Sequence, residues 1–111
     1  QWTKGKSADT FGPIGPYLVT KDEIPDVQKL NLSLDLNNQK MQTGNTSKMI
    51  FNINFILSYL SNFMSLQPGD IVTTGTPPGV GAGKKPPLYL KSGDEMSLAI
   101  DSLGSQNQRV R

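Results

Sequence analysis

The chain of 111 residues has no cysteine and no histidine. Without cysteine there is no disulfide framework, no thiolate nucleophile and no cysteine-bound zinc. Without histidine the commonest general base and the commonest transition-metal ligand are both excluded. Any chemistry falls to lysine, carboxylates, hydroxyls, amides and the backbone. A charge excess is also missing: 11 Lys and Arg against 9 Asp and Glu leave a net charge of +2. The lysines are scattered and form no basic stripe interleaved with aromatics, so no nucleic-acid partner is expected. No apolar run approaches the length of a bilayer span and no signal peptide is visible, so no membrane partner is expected. A cytoplasmic location is the default expectation. Gln1-Trp2 is not a natural start, and the reading expects a chain that begins within a domain.

Glycine and proline, by contrast, are plentiful, at 11 and 8 residues. With 35% hydrophobic residues they describe one loop-rich globular domain with a modest core. Lys4 to Pro16 reads as a loop broken at Gly12-Pro13 and Gly15-Pro16, and Tyr17 to Thr20 as a short strand. Asp22 to Asp26 reads as a turn, because Pro25 drives Ile24 to extended geometry. Leu30, Leu32, Leu34 and Leu36 alternate with polar residues, the period of a strand with one wet face. Asn37-Asn38 then predicts a hairpin turn, with Lys40 to Gln42 returning. From Ser47 to Phe63 the apolar residues recur at three and four, which predicts the main helix, capped by Thr46 or Ser47. Ile71 to Thr74 is a β-branched run read as a buried strand. Leu88 to Lys91, Met96 to Ile100 and Gln106 to Arg111 read as further strands, and Pro77 to Pro87 as a flexible loop. The order predicts a β-dominated α+β fold, a mixed β roll or sandwich with one main helix.

The richest local feature is Thr73-Thr74-Gly75-Thr76-Pro77-Pro78-Gly79-Val80-Gly81, entered from Pro68-Gly69-Asp70. A strand that stops at Gly75-Thr76-Pro77 leaves a hydroxyl and free backbone N–H groups at its end. Such groups can hold a carbonyl or carboxylate oxygen; the same residues also suit a loop that only turns a corner. Lys6, between Gly5 and Ser7, is either a solvated surface lysine or a proton donor whose pKa burial lowers. Gln42, Gly44, Asn45 and Thr46 form a polar cluster just before the helix, whose N-terminus attracts anionic groups; Thr46 and Asn45 also fit simple capping of that helix. The run from Gly79 to Lys85 is not a phosphate loop: proline stands at 78, where a glycine is needed, and Lys85 replaces the required Ser or Thr. Asp22, Glu23, Asp26, Asp70, Asp94 and Glu95 lie in turn sequences and are read as solvated.

Three segments in order carry a resemblance. They are Lys4-Gly5-Lys6-Ser7-Ala8-Asp9-Thr10-Phe11-Gly12-Pro13-Ile14-Gly15-Pro16-Tyr17-Leu18-Val19-Thr20 followed by Asp22-Glu23-Ile24-Pro25-Asp26, then Gln42-Thr43-Gly44-Asn45-Thr46-Ser47-Lys48-Met49-Ile50-Phe51, then the Thr-Gly-Thr-Pro loop. Together they resemble the fumarylacetoacetate hydrolase family, from Trp2 to about Gly104, and residues 1–111 resemble the C-terminal half of its catalytic domain. The resemblance implies a catalytic Lys6, substrate-binding Gly75 and Thr76, and Thr10 beside a metal. It implies Mg²⁺, or Mn²⁺ or Ca²⁺, in the parent enzyme. It also implies a homodimer and a small carboxylic acid substrate of the β-dicarbonyl or 2-oxo type. Members of the family hydrolyse C–C bonds, decarboxylate, hydrate or isomerise such acids. The family's metal-binding carboxylates, a Glu-x-Glu pair and a later aspartate, have no match in these residues, so this chain alone is expected to bind metal weakly or not at all. Ala8 departs from the aromatic residue that many members have there. The alternatives are a non-catalytic fragment or binding module, and a structural subunit whose site is completed by another chain.

Overall fold

A computed structural model describes all residues, 1–111. Four strands form one antiparallel sheet: β1 Asn31–Leu36, β2 Gln39–Asn45, β3 Glu95–Ile100 and β4 Gly104–Arg109, in the spatial order β2-β1-β3-β4. Two helices accompany it, α1 Trp2–Lys6 and α2 Ile53–Leu60. The α+β class with strands dominating follows the alternating leucines. Leu32 pairs with Ile100, Leu34 with Leu98 and Leu36 with Met96. These six side chains therefore share one face, since residues two apart on a strand point the same way.

The hairpin between β1 and β2 has a two-residue loop. Asn37 and Asn38 both take positive φ, 49° and 63°, the backbone that a tight hairpin requires and that asparagine tolerates. The ladder then slips: Leu34 faces Gln42 and Asp35 faces Lys40. Met41 is left without a partner as a β-bulge, which bends an edge strand and re-aims its neighbours. The buried residues are Ile24, Leu30 and Leu36. Thr46 secures the approach to β1: its hydroxyl accepts from the Leu30 N–H at 2.9 Å and donates to the Val27 carbonyl at 2.7 Å. Gln28 bridges onward, donating to the Thr46 carbonyl at 3.0 Å and accepting from the Ile53 N–H at 2.8 Å.

Several sequence expectations change in detail. The helix expected over 47–63 is cut to eight residues. Met49, at φ −58° and ψ 137°, is extended, so the chain makes a short 3₁₀ turn at Thr46–Lys48 and begins α2 afresh. The caps shift accordingly: Asn45 accepts from the Ser47 N–H, and Asn52 accepts from the Phe55 N–H at 2.7 Å. The periodic pattern itself holds within the helix, since Ile53, Ile56 and Leu60 are its half-buried residues. Tyr17 to Thr20, Ile71 to Thr74 and Leu88 to Lys91 are not strands. A strand is defined by its ladder, and these segments form none: Leu88 makes a single loop contact, its N–H donating to the Gly81 carbonyl, and Ile71 is 68% exposed. Lys4 to Lys6, expected in a loop, belong to α1 instead.

Candidate functional site

The Thr-Gly-Thr-Pro loop lies along β2, at one edge of the sheet. Three contacts hold it there. Pro77 sits over Gly44 so closely that a Cβ on Gly44 would stand 2.8 Å from the proline Cβ. Gly79, at φ 112°, lays its backbone on the Met41 carbonyl, where a Cβ would overlap the oxygen. Gln42 donates from Nε2 to the Thr76 hydroxyl at 2.8 Å and to the Pro77 carbonyl at 2.6 Å. The bulge at Met41 and the two glycines thus make a seat for the loop on a strand edge that would otherwise carry side chains. Gly75, at φ 88°, turns the chain just before Thr76. Both Gly75 and Thr76 are exposed, while Pro77 and Gly79 are half-buried. The loop is anchored by its second half and presents its first half to solvent.

A matching arrangement stands at the opposite edge. Gln106 on β4 donates through Nε2 to the Gly15 carbonyl. Tyr17 and Pro16 rest on Gly104, with the tyrosine hydroxyl 2.7 Å from where a glycine Cβ would be. Leu98 pairs with Gln106 and Leu34 with Gln42. The two glutamines are therefore on the same sheet face, at either side of the central leucines. The sequence signals the two loops separately; only the sheet order places them on one face.

Lys6 ends α1 and is exposed. With Gln1, Trp2 and Gly5 it lines an open cavity of about 290 Å³ that Thr76 does not line. Thr10 is exposed and takes φ 68°. A β-branched residue in the left-handed region is strained by about 1–3 kcal/mol, a feature that clusters at functional sites. The structure joins Thr76 to Gln42 and does not join Lys6 or Thr10 to either by a hydrogen bond. Gln42 is the site residue that sequence reasoning placed only in a polar cluster before the helix. Its real partners lie 34 and 35 residues away, and no local signal marks them.

The carboxylates are committed elsewhere. Asp26 accepts from the Gln28 N–H and pairs with Lys29, and these interactions hold its pKa below the ordinary value. Asp94 accepts from Asn37 Nδ2 at 2.9 Å and from the Lys91 N–H at 2.8 Å, which lowers its pKa in the same way. Asp101 accepts from Asn31, and Asp70 from the Gln67 N–H. No three acidic side chains come together. Magnesium or calcium wants several oxygens in one cage, so these residues do not fit such an ion.

The sequence profile described as fumarylacetoacetate (FAA) hydrolase C-terminal matches residues 1–111. The chain belongs to the fumarylacetoacetate hydrolase family. A 2,4-didehydro-3-deoxy-L-rhamnonate hydrolase of Sphingomonas sp. strain SKA58 is 57% identical over 99% of this chain and 39% of its own length. The fumarylacetoacetate hydrolase structure from Exiguobacterium antarcticum superposes with a TM-score of 0.94 at 39% identity, over 97% of this chain and 39% of that one. A maleylpyruvate hydrolase from Sphingobium sp. SYK-6, solved with manganese(II) and pyruvate, gives 0.82 at 37% identity, over 92% of this chain and 36% of that one. The chain thus spans about 40% of the length of the curated relatives it matches. No helix in the chain is long and apolar enough to cross a membrane.

Proposed function

We propose that these 111 residues are the partial catalytic domain of an enzyme acting on small 2-oxo or β-dicarbonyl acids, by hydrolysis, decarboxylation, hydration or isomerisation. In this reading Thr76 and the Gly75 backbone bind the substrate's carboxylate, and Lys6 donates a proton or stabilises charge on the enolate-like intermediate. The observation that carries it is the anchored loop. Its second half is fixed to β2 through Gln42, Gly44 and Gly79, while the Thr76 hydroxyl stays exposed. A hydroxyl and backbone N–H groups on a rigid support are what orients an oxyanion.

The reading includes a divalent cation, supported by the manganese in the Sphingobium relative. When bound, such an ion supplies Lewis-acid polarisation of the substrate's oxygens. This chain's own carboxylates do not fit it, and in this reading other residues of the enzyme supply the ligands. The reading also includes a cytoplasmic homodimer. A second reading, a binding module without turnover, is favoured by the commitment of Asp26, Asp94 and Asp101 to local hydrogen bonds.

The test is turnover of a panel of 2-oxo and β-dicarbonyl acids with Mg²⁺ or Mn²⁺, in a polypeptide of the relatives' full length that contains this chain. Lys6→Ala should lower turnover by about a hundredfold, the scale of a positioned proton donor. Thr76→Val should act on substrate affinity. Lys6→Ala with unchanged turnover removes the lysine from the mechanism, and no turnover of any panel member favours the binding module.

A further inference from the structure

We propose that Gln42 is a positioning residue that fixes the Thr76 hydroxyl as a hydrogen-bond donor toward a ligand carboxylate. The inference deepens the proposed function and rests on its placing the carboxylate at Thr76. The positions of the protons decide the role of each oxygen. The Pro77 carbonyl oxygen has none, so the Gln42 atom 2.6 Å from it must be the amide nitrogen. That nitrogen has two hydrogens. One goes to the Pro77 carbonyl and the other to Thr76 Oγ1, 2.8 Å away. Facing an N–H, the threonine oxygen can only accept. Its own single proton then points away from Gln42, on a residue that is exposed.

A threonine hydroxyl alone in solvent is undecided, since it rotates to donate or accept as its neighbours require. Here one of the two lone pairs is taken, which turns the proton away from Gln42. What the loop offers outward is an O–H donor, polarised by the N–H that it accepts. A carboxylate is acceptor-only and matches that donor; a ligand ammonium or amide N–H finds one lone pair instead of two. The selection for an anionic, acceptor-only ligand group thus originates on β2 and reaches the ligand through Thr76.

The strand is built for the task. The bulge at Met41 interrupts the ladder immediately before Gln42. Gly44 lets Pro77 down onto the strand and Gly79 lets the loop follow the Met41 carbonyl, so the Pro77 oxygen comes within reach of the amide. An asparagine would be one methylene short, and a glutamate would present only acceptors.

Pyruvate with Mn²⁺, the pair found with the Sphingobium relative, serves as the probe. Its affinity is measured by calorimetry in a polypeptide of the relatives' full length containing this chain. Gln42→Met, equal in length and without N–H groups, should weaken pyruvate by about tenfold, the scale of one hydrogen bond to a charged group. Thr76→Val should do the same, and the double variant should be within about twofold of Thr76→Val alone, because both changes break one chain of contacts. Gln42→Glu should bind poorly at neutral pH and recover in part as acidification protonates its carboxyl and restores one donor; wild type should show no such recovery. A merely structural glutamine would not produce that pH profile. If Gln42→Met does not fold, the Gln42→Glu profile decides alone. Thr76→Val with full pyruvate affinity overturns the carboxylate site itself, and this inference with it. Thr76→Val that weakens binding while Gln42→Met does not, or two effects that simply multiply, overturns the positioning role and leaves the carboxylate site standing.

Discussion

Replacing Gly44 with alanine tests the seat of the Thr-Gly-Thr-Pro loop directly. The new Cβ would stand 2.8 Å from Pro77 Cβ, 3.4 Å from Pro77 Cγ and 3.7 Å from Leu32 Cδ2. Carbon atoms pack at about 3.5–4.0 Å, so the first distance is short by about 1 Å. Pro77 cannot yield by turning a rotamer, since its ring is part of the backbone. Either β2 or the loop must move. β2 is held by its ladder to β1 over six residue pairs. The loop is held chiefly by two Gln42 hydrogen bonds, worth together about 1–3 kcal/mol net. Overpacking by a methyl costs about the same, 1–3 kcal/mol, so the loop is the element that gives. Alanine also suits a strand interior better than glycine by roughly 0.5–1 kcal/mol, which offsets part of the cost to global stability. We expect Gly44→Ala to keep its Tm within about 5 °C of wild type while the loop shifts by about 1 Å. A displacement of that size next to bound substrate can cost about a hundredfold in activity. The assays are thermal melting and a crystal structure of the variant, with turnover in a full-length polypeptide. A variant structure with Pro77 unmoved would refute the reasoning, and so would a Tm lowered by more than about 10 °C, which would mean that the strand had yielded.

Asn52→Ala should destabilise α2 by about 1 kcal/mol, the usual worth of a side-chain N-cap, read as faster amide exchange at Phe55. Asp94 has its pKa lowered by Asn37 and the Lys91 N–H. Its contribution is therefore present above its unfolded pKa and lost as pH falls through the folded value. Melting below about pH 4 should show a loss of stability that Asp94→Ala reduces; an unchanged acid limb in the variant would count against it. The isolated chain should self-associate. It exposes 9336 Å², against about 6,000 Å² expected for a folded monomer of its mass, and the excess is on the scale of an obligate interface. Light scattering that gives a clean monomer at high concentration would contradict this. Titration of the isolated chain with Mg²⁺ or Mn²⁺ should show no micromolar one-to-one binding, because no acidic cluster is assembled.

The sequence determined the parts whose partners are near. The leucine alternation made β1, the Asn37-Asn38 pair made its hairpin, and the alternation of Met96, Leu98 and Ile100 made β3, because a period of two and a positive φ are local properties. The spacing of Ile53, Ile56 and Leu60 marked α2 for the same reason. Local pattern overreached wherever a strand needed a neighbour: Ile71 to Thr74 has the composition of a strand and no ladder to join. It also misjudged the caps, since Met49 leaves the helical region and hands the N-terminus of α2 to Asn52. The Gly-Thr-Pro motif named Thr76, but nothing near it named Gln42. Only the tertiary structure decided that pairing, through a bulge at Met41 and two glycines that let a distant loop settle on the strand. Which side of a hydroxyl is free to meet a ligand depends on what occupies the other side, and that neighbour is brought by the fold.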